Sequence, residues 1–304
     1  GSPGDNTLDQ DELFFNTAFS FLDEMKWSFG LLRLGMRYDL QRLGTQRESD
    51  EVQLNSFNPS IGFTYTQWGK HVMFVSYSSS FETPTLNELS ANPSGNVGFN
   101  PDLSPSKAHN FEWGWRYTTP ENTLEAAIYA INTQNEILPY ELATLPDRDF
   151  YRNTGTTARR GIELFWEHQK RRWEWVVSYN YAHLKFDNYI LGDQNLSGKY
   201  LPGVPRQQFN TALRYNFSKG WGSAFQTQYS GNLYADDANQ TLVDDYLLAN
   251  IRFWKSYDNL SFFGGINNLL DTAYFDNIRI NAFGKRYYEP APMRNFYLGM
   301  SINF

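Results

Sequence analysis

The sequence predicts an all-β chain, a transmembrane antiparallel β-barrel wall of about thirteen strands. Three observations predict it. The closing residues alternate strictly: Phe296, Leu298, Met300, Ile302 and Phe304 fall on one face, and Asn295, Tyr297, Gly299, Ser301 and Asn303 on the other. Aromatic residues make up 17% of the 304 residues, with 20 Tyr, 24 Phe and 9 Trp. Yet mean hydropathy is -0.57, and no apolar run approaches the roughly 18 to 20 residues of a spanning helix. Finally, short turns and long connections succeed one another along the whole chain.

Taken in order, residues 1–10 read as the remnant of an extracellular loop and 11–304 as the barrel segment, opening with a strand over Leu13–Leu22. Short turns are expected at Asp23-Glu24-Met25-Lys26, Gln67-Trp68-Gly69, Thr119-Pro120-Glu121-Asn122, Lys170-Arg171-Arg172, Ser218-Lys219-Gly220 and Tyr257-Asp258-Asn259. Long loops are expected over 42–55, 82–106, 135–157, 187–204, 235–244 and 271–290. Between them lie alternating rows: Phe111, Trp113, Trp115 and Tyr117; Trp173, Trp175, Val177, Tyr179 and Tyr181; Phe209, Thr211, Leu213, Tyr215 and Phe217. A soluble sandwich alternates too, but Tyr and Trp in this abundance match the aromatic girdles of a membrane barrel.

Short periplasmic turns and long extracellular loops orient such a wall and place its last residue on the periplasmic side. An odd strand count is awkward, because single-chain bacterial barrels have even numbers and an open edge in lipid leaves costly unpaired backbone groups. The expectation is therefore the C-terminal part of a larger barrel. The opening Gly1-Ser2-Pro3-Gly4 carries no secretory leader, which reads as a mature, trimmed or partial chain.

Composition excludes other classes. Without cysteine there are no disulfides and no thiolate chemistry. His71, His109, His168 and His183 never fall at metal-ligand spacing and are each expected at a strand end, so neither metal nor cofactor is expected. A net charge of -7 argues against nucleic acid as a partner. No Ser/His/Asp arrangement stands out, so no catalytic residue is assigned and no enzyme activity is expected.

Six segments carry a resemblance. They are Ser80-Phe81-Glu82-Thr83-Pro84-Thr85-Leu86-Asn87-Glu88-Leu89, with Asn100-Pro101-Asp102-Leu103-Ser104-Pro105-Ser106 after it; Arg152-Asn153-Thr154-Gly155; Arg160-Gly161-Ile162-Glu163-Leu164; Leu201-Pro202-Gly203-Val204-Pro205-Arg206; Asn267-Asn268-Leu269-Leu270-Asp271-Thr272-Ala273-Tyr274; and Tyr287-Tyr288-Glu289-Pro290-Ala291-Pro292-Met293-Arg294. In this order, and with the terminal Phe, the chain resembles the TonB-dependent receptors, siderophore receptors among them. Most of these residues read as architecture: Asn-Leu-Leu-Asp supplies Asx-turn chemistry at a strand exit, and Pro290 and Pro292 precede the last strand.

The resemblance implies a 22-stranded barrel whose plug and first strands are missing from this chain, to be supplied by the same precursor or a second chain. It implies energised uptake of a scarce ligand, an iron-siderophore or similar chelate, with TonB acting through the plug. It also makes Phe296, Leu298, Met300, Ile302 and Phe304 a signal for the barrel assembly machinery. Outer-membrane lipid and lipopolysaccharide are the surrounding partners. Ligand contacts are expected at extracellular strand ends: Phe81, Glu82, Tyr140, Arg152, Tyr234, Arg279, Asn281, Arg286, Tyr287 and Tyr288. Arg beside aromatics in the last loop suits an anionic ligand, and lipopolysaccharide phosphate is the competing use of the same cations. Arg33, Arg37, Asp39, Glu112, Arg116, Glu163, Glu167, Arg214 and Arg252 are expected to face the lumen as scaffold. A passive porin-like channel is the alternative reading.

Overall fold

The computed structural model describes residues 12–45, 51–95, 98–153, 155–282 and 288–302. Residues 1–10, Arg286, Tyr287 and Phe304 lie outside them. Thirteen strands form one antiparallel sheet, hydrogen-bonded in chain order. They are β1 (Glu12–Trp27), β2 (Gly30–Thr45), β3 (Glu51–Trp68), β4 (His71–Glu82), β5 (Ser106–Thr118), β6 (Asn122–Gln134), β9 (Thr156–Lys170), β10 (Trp173–Asn188), β13 (Gln207–Asn216), β14 (Trp221–Ser230), β17 (Tyr246–Ser256), β18 (Leu260–Asn267) and β21 (Asn295–Ile302). Four small ladders occupy the long loops: β7 (Ile137–Leu142) with β8 (Leu145–Asn153), β11 (Ile190–Leu191) with β12 (Gln194–Asn195), β15 (Leu233–Tyr234) with β16 (Leu242–Val243), and β19 (Phe275–Ile278) with β20 (Tyr288–Pro290). A short helix, α1 (Leu86–Ser90), sits in the loop after β4. β1 and β21 are the two edges, and among the described residues no ladder joins them.

Two expected connections are corrected. Asp23 to Lys26 is not a turn: β1 runs through it with Glu24 opposite Arg33, and the chain reverses over Ser28 and Phe29. The pairing continues because Met25 and Trp27 keep the period of two, and because Arg33 Nε donates to Glu24 Oε1 at 2.6 Å. The loop expected over 42–55 is shorter, with Gly44 still paired to Glu51. Leu43 is buried at this point against Leu89, Phe99 and Leu103, with Val52 and Leu54 packed alongside, so burial carries both strands past the expected loop boundary. His109 and His183 also lie within strands rather than at their ends.

Register sorts the side chains into two faces. One carries Phe57 and Ile61, Phe111 and Trp113, Ile162 and Leu164, Trp173 and Trp175, and Phe296, Leu298, Met300 and Ile302, all exposed; Leu298 is 87% accessible. Large apolar groups left this open on a sheet face belong against lipid. The short-turn end of that face is ringed by aromatics: Trp27 stacks on Phe29, Trp173 meets Tyr215, and Trp115 Nε1 donates to His71 Nδ1 at 3.0 Å. Such a girdle seats amphipathic rings at the membrane interface.

The other face is polar. Arg33, Arg37, Asp39, Glu112, Arg116, Glu163, Glu167, Arg214 and Arg252 all share it by register. Arg37 grips Asp39 through Nε and Nη2 at 2.8 and 2.7 Å, and Arg116 Nε lies 2.8 Å from Glu125. Five aromatics on this face each sit directly across from a glycine: Phe74 and Gly114, Tyr129 and Gly161, Trp254 and Gly222, Tyr297 and Gly265, Phe263 and Gly299. In every pair the ring occupies the space a Cβ on the glycine would need. Bare backbone lets a large ring lie down on the sheet and shield it, a pairing that also pins register.

Candidate functional site

The long loops do not splay apart at the other end of the wall. In the loop after β4, Thr85 caps α1: its Oγ1 accepts from Glu88 N at 3.2 Å and its own N donates to Glu88 Oε2 at 2.7 Å. This reciprocal box is what Thr-x-x-Glu spacing provides, and it lets Leu89 bury with Leu43, Phe99 and Leu103. Asn153, at the end of β8, ties this loop to the next by donating to Ser104 O and Asn135 O at 2.8 and 2.7 Å.

Four loops then meet at one carboxylate. Asp237, with only 4% of its side chain accessible, accepts from Arg152 Nη2 at 2.9 Å and from Asn281 Nδ2 at 3.0 Å. Arg152 Nε also donates to Tyr189 OH at 2.8 Å, and its guanidinium lies 4.6 Å over the Tyr140 ring. Asn281 reaches on to Pro139 O at 3.2 Å, and its Oδ1 accepts from Asp237 N. Burial pushes the Tyr189 phenol up to about 12, Arg152 opposing and Asp237 adding to the rise. A second ion pair joins Arg279 to Glu141 at 2.6 Å, with Asp149 at 3.7 Å.

Apolar clusters lie beneath these bonds. Leu138, Phe186, Tyr189, Leu196 and Leu201 form one, and Ala235, Val243 and Ala282 another. Gly203, at φ +77, donates to Tyr234 O at 2.8 Å, and a side chain there would run into Ile280. Asn268 closes the predicted Asx turn, accepting from Thr272 N at 2.9 Å and donating to Thr272 O at 2.8 Å. Below this cap the lumen face forms a cavity of about 510 Å³ whose lining includes Glu112, Arg116, Glu125, Glu163, Asn180 and Asn210.

Of the residues singled out in the sequence, Tyr140, Arg152, Arg279 and Asn281 come together as the internal ties of this cap. Phe81, opposite Lys107, shares the outward face, and Glu82 ends β4. Tyr234 stacks on Tyr200 with centroids 6.1 Å apart, and Tyr288 stacks on Phe275 at 4.5 Å. The sequence singles out none of Asp237, Tyr189 and Glu141, and Asn153 only as part of a motif of the resemblance. Asp236-Asp237-Ala238-Asn239 carries only a turn signal, and nothing local says that its second carboxylate is buried.

The sequence matches the family described as TonB dependent receptor-like, beta-barrel, over residues 1–269. The chain belongs to the TonB-dependent receptors. Across 287 residues it is 25% identical to the ferrioxamine receptor of Yersinia enterocolitica, covering 90% of this chain and 38% of that protein. Across 265 residues it is 26% identical to the vitamin B12 transporter BtuB of Photobacterium profundum, covering 83% and 40%. The receptor chain therefore spans about two fifths of the length of these relatives. Its fold is also that of the copper transporter OprC, with a TM-score of 0.79 at 18% identity, covering 97% of this chain and 48% of that one. As a TonB-dependent receptor barrel, it is an outer-membrane, multi-stranded β structure.

Proposed function

We propose that this chain is the ligand-facing wall and loop cap of a receptor that imports a scarce chelate, foremost an iron-siderophore, through the outer membrane with energy delivered by TonB. The observation that carries this reading is the cap itself. Four loops bonded through Asp237 over a charged lumen make a built mouth rather than loose surface turns. The two open sheet edges pair with further strands of the receptor, and a plug fills the polar lumen, since unpaired backbone in lipid is costly. The receptor binds and transports, with no chemistry on its ligand.

Ligand contacts are assigned to Glu82 at the end of β4 and Tyr288 on β20, with Arg286 and Tyr287, outside the described residues, kept as candidates from the sequence alone. Tyr140, Arg152, Arg279 and Asn281 hold the shape of the mouth, while Phe81 and Tyr234 support its outer side. The ferrioxamine receptor and the vitamin B12 transporter to which the chain is similar set ferrioxamine and vitamin B12 as the first ligands to try. The test is uptake of radiolabelled ferric siderophores by cells that produce the receptor, with TonB present or deleted. Saturable uptake that vanishes without TonB is expected. Linear, TonB-independent flux with ohmic single-channel conductance would establish the porin-like alternative instead.

A further inference from the structure

We propose that the outer face of the wall, at its loop end, carries a phosphate site for an outer-leaflet lipid headgroup, formed by Arg160, Lys185 and Arg206 around Tyr200 and His183. Arg159 and Arg160 are chain neighbours that point to opposite faces. Arg159 turns inward and pairs with Glu136, whereas Arg160 lies directly across from His183 on the outward face. Two residues further along the same face, Lys185 bridges to Tyr200 and places its Nζ 4.6 Å over that ring. The Arg206 guanidinium covers the same ring at 5.1 Å, and the His183 ring meets it edge-on at 5.4 Å.

The three cations also lack a carboxylate among the described residues, unlike several arginines of the opposite face. Arg33, Arg37, Arg116 and Arg159 on the lumen face each have a carboxylate, as do Arg152 and Arg279 in the cap. Among the described residues, Arg160, Lys185 and Arg206 form no ion pair with any carboxylate; the side-chain bond of Arg206 goes to the neutral Asn232 Oδ1 at 3.3 Å. Two like charges over one ring, with a third across from His183, repel one another and call for an anion. Tyr200 seats Lys185 and Arg206 by cation-π contact, and its stacking on Tyr234 fixes the ring.

Height selects the anion. Trp173 belongs to the girdle at the short-turn end, and His183 lies ten residues along β10. A rise of roughly 3.3 Å per residue on a strand tilted by about 40° lifts His183 some 25 Å above that girdle, about the height of the apolar band. The cluster thus stands where hydrocarbon gives way to headgroups. Trp175, Val177, Tyr179 and Tyr181 lead up to it on the same face and offer a track for acyl chains. Phosphate oxygens suit the donor set, Arg as a fork and Lys as a point charge. A free phosphate has the same oxygens but gains nothing from the apolar track below.

The test uses the receptor purified from the outer membrane in mild detergent, with native mass spectrometry against bisphosphorylated lipid A, its dephosphorylated form, and inorganic phosphate. Arg160→Gln/Lys185→Gln/Arg206→Gln is compared with wild type and with Lys170→Gln, which removes a cation from the opposite end of the wall. Wild type and Lys170→Gln should favour the phosphorylated lipid about tenfold, and the triple variant should lose that preference. Equal retention by the triple variant, or equal loss in Lys170→Gln, overturns the proposal. Inorganic phosphate displacing the lipid at millimolar concentration, with the same dependence on the three cations, reassigns the site to the free anion. Heat-modifiable gel mobility checks assembly; should the triple variant fail it, Lys185→Gln alone is expected to lower the preference about threefold.

Discussion

Arg152 on β8 and Asp237 in the loop between β15 and β16 meet at 2.9 Å across 85 residues of chain, and the carboxylate is almost wholly buried. The pair joins a loop that begins after β6 to one that begins after β14. Besides this pair, those loops are linked by Asn281, which bonds both Asp237 and Pro139 O, and by the apolar cluster of Leu138 against which Ala238 packs.

Arg152→Met should therefore loosen the mouth while leaving the wall intact. Removing the cation strands a buried carboxylate, which costs about 3 kcal/mol in comparable cases. Hydrogen exchange should quicken across residues 137–153, 231–245 and 275–282 and stay slow in the β9 to β14 wall. Unchanged exchange in those loops would mean that the ion pair does not hold them together.

Alkaline pH should open the same cap. Tyr189 is held neutral, its phenol pushed up to about 12 from an ordinary value of 10. A group whose folded value is raised supports the fold fully below pH 10, and that support is lost as pH climbs through 10 towards 12. Loop protection should fall over this window in wild type, whereas Tyr189→Phe should remove the Tyr189 contribution to the fall. An identical profile in Tyr189→Phe would assign the transition elsewhere.

Gly161→Leu should impair assembly, because its side chain needs the space taken by the Tyr129 ring. Tyr129→Ala should restore heat-modifiable barrel in the double variant, since the clash is confined to this cross-strand pair. Were the double variant as defective as the single one, backbone strain rather than the ring would be responsible.

On the last strand the two faces should respond differently. Leu298→Arg places a cation against lipid and should cost about 2 to 4 kcal/mol near the midplane, whereas Ser301→Arg faces the lumen and should be tolerated. Folding into lipid vesicles, followed by gel mobility, compares the two. Equal tolerance of both would contradict the assignment of faces.

The wall was legible in the sequence because a period of two needs only neighbours. Phe296 to Ile302, Phe111 to Trp115 and the lumen charges fell on the expected sides by counting alone. The turn expected at Asp23 lies further on, over Ser28 and Phe29, where the cross-strand bond between Glu24 and Arg33 extends the hairpin. The cap was half legible. Tyr140, Arg152, Arg279 and Asn281 stood out as polar or aromatic groups at loop positions, but their mutual pairing did not. Asn281 finds Pro139 across 142 residues, and no local pattern encodes a meeting of that kind.

The five rings resting on five glycines have a consequence for how such a wall can change over generations. Each ring and its glycine form a single unit spread across two strands, so a side chain gained at Gly114, Gly161, Gly222 or Gly299 must be matched by a side chain lost on the other strand, while at Gly265 the backbone O of Ile251 also stands in the way. Substitutions should arrive in couples at these positions, and the lumen surface is inherited pair by pair rather than residue by residue.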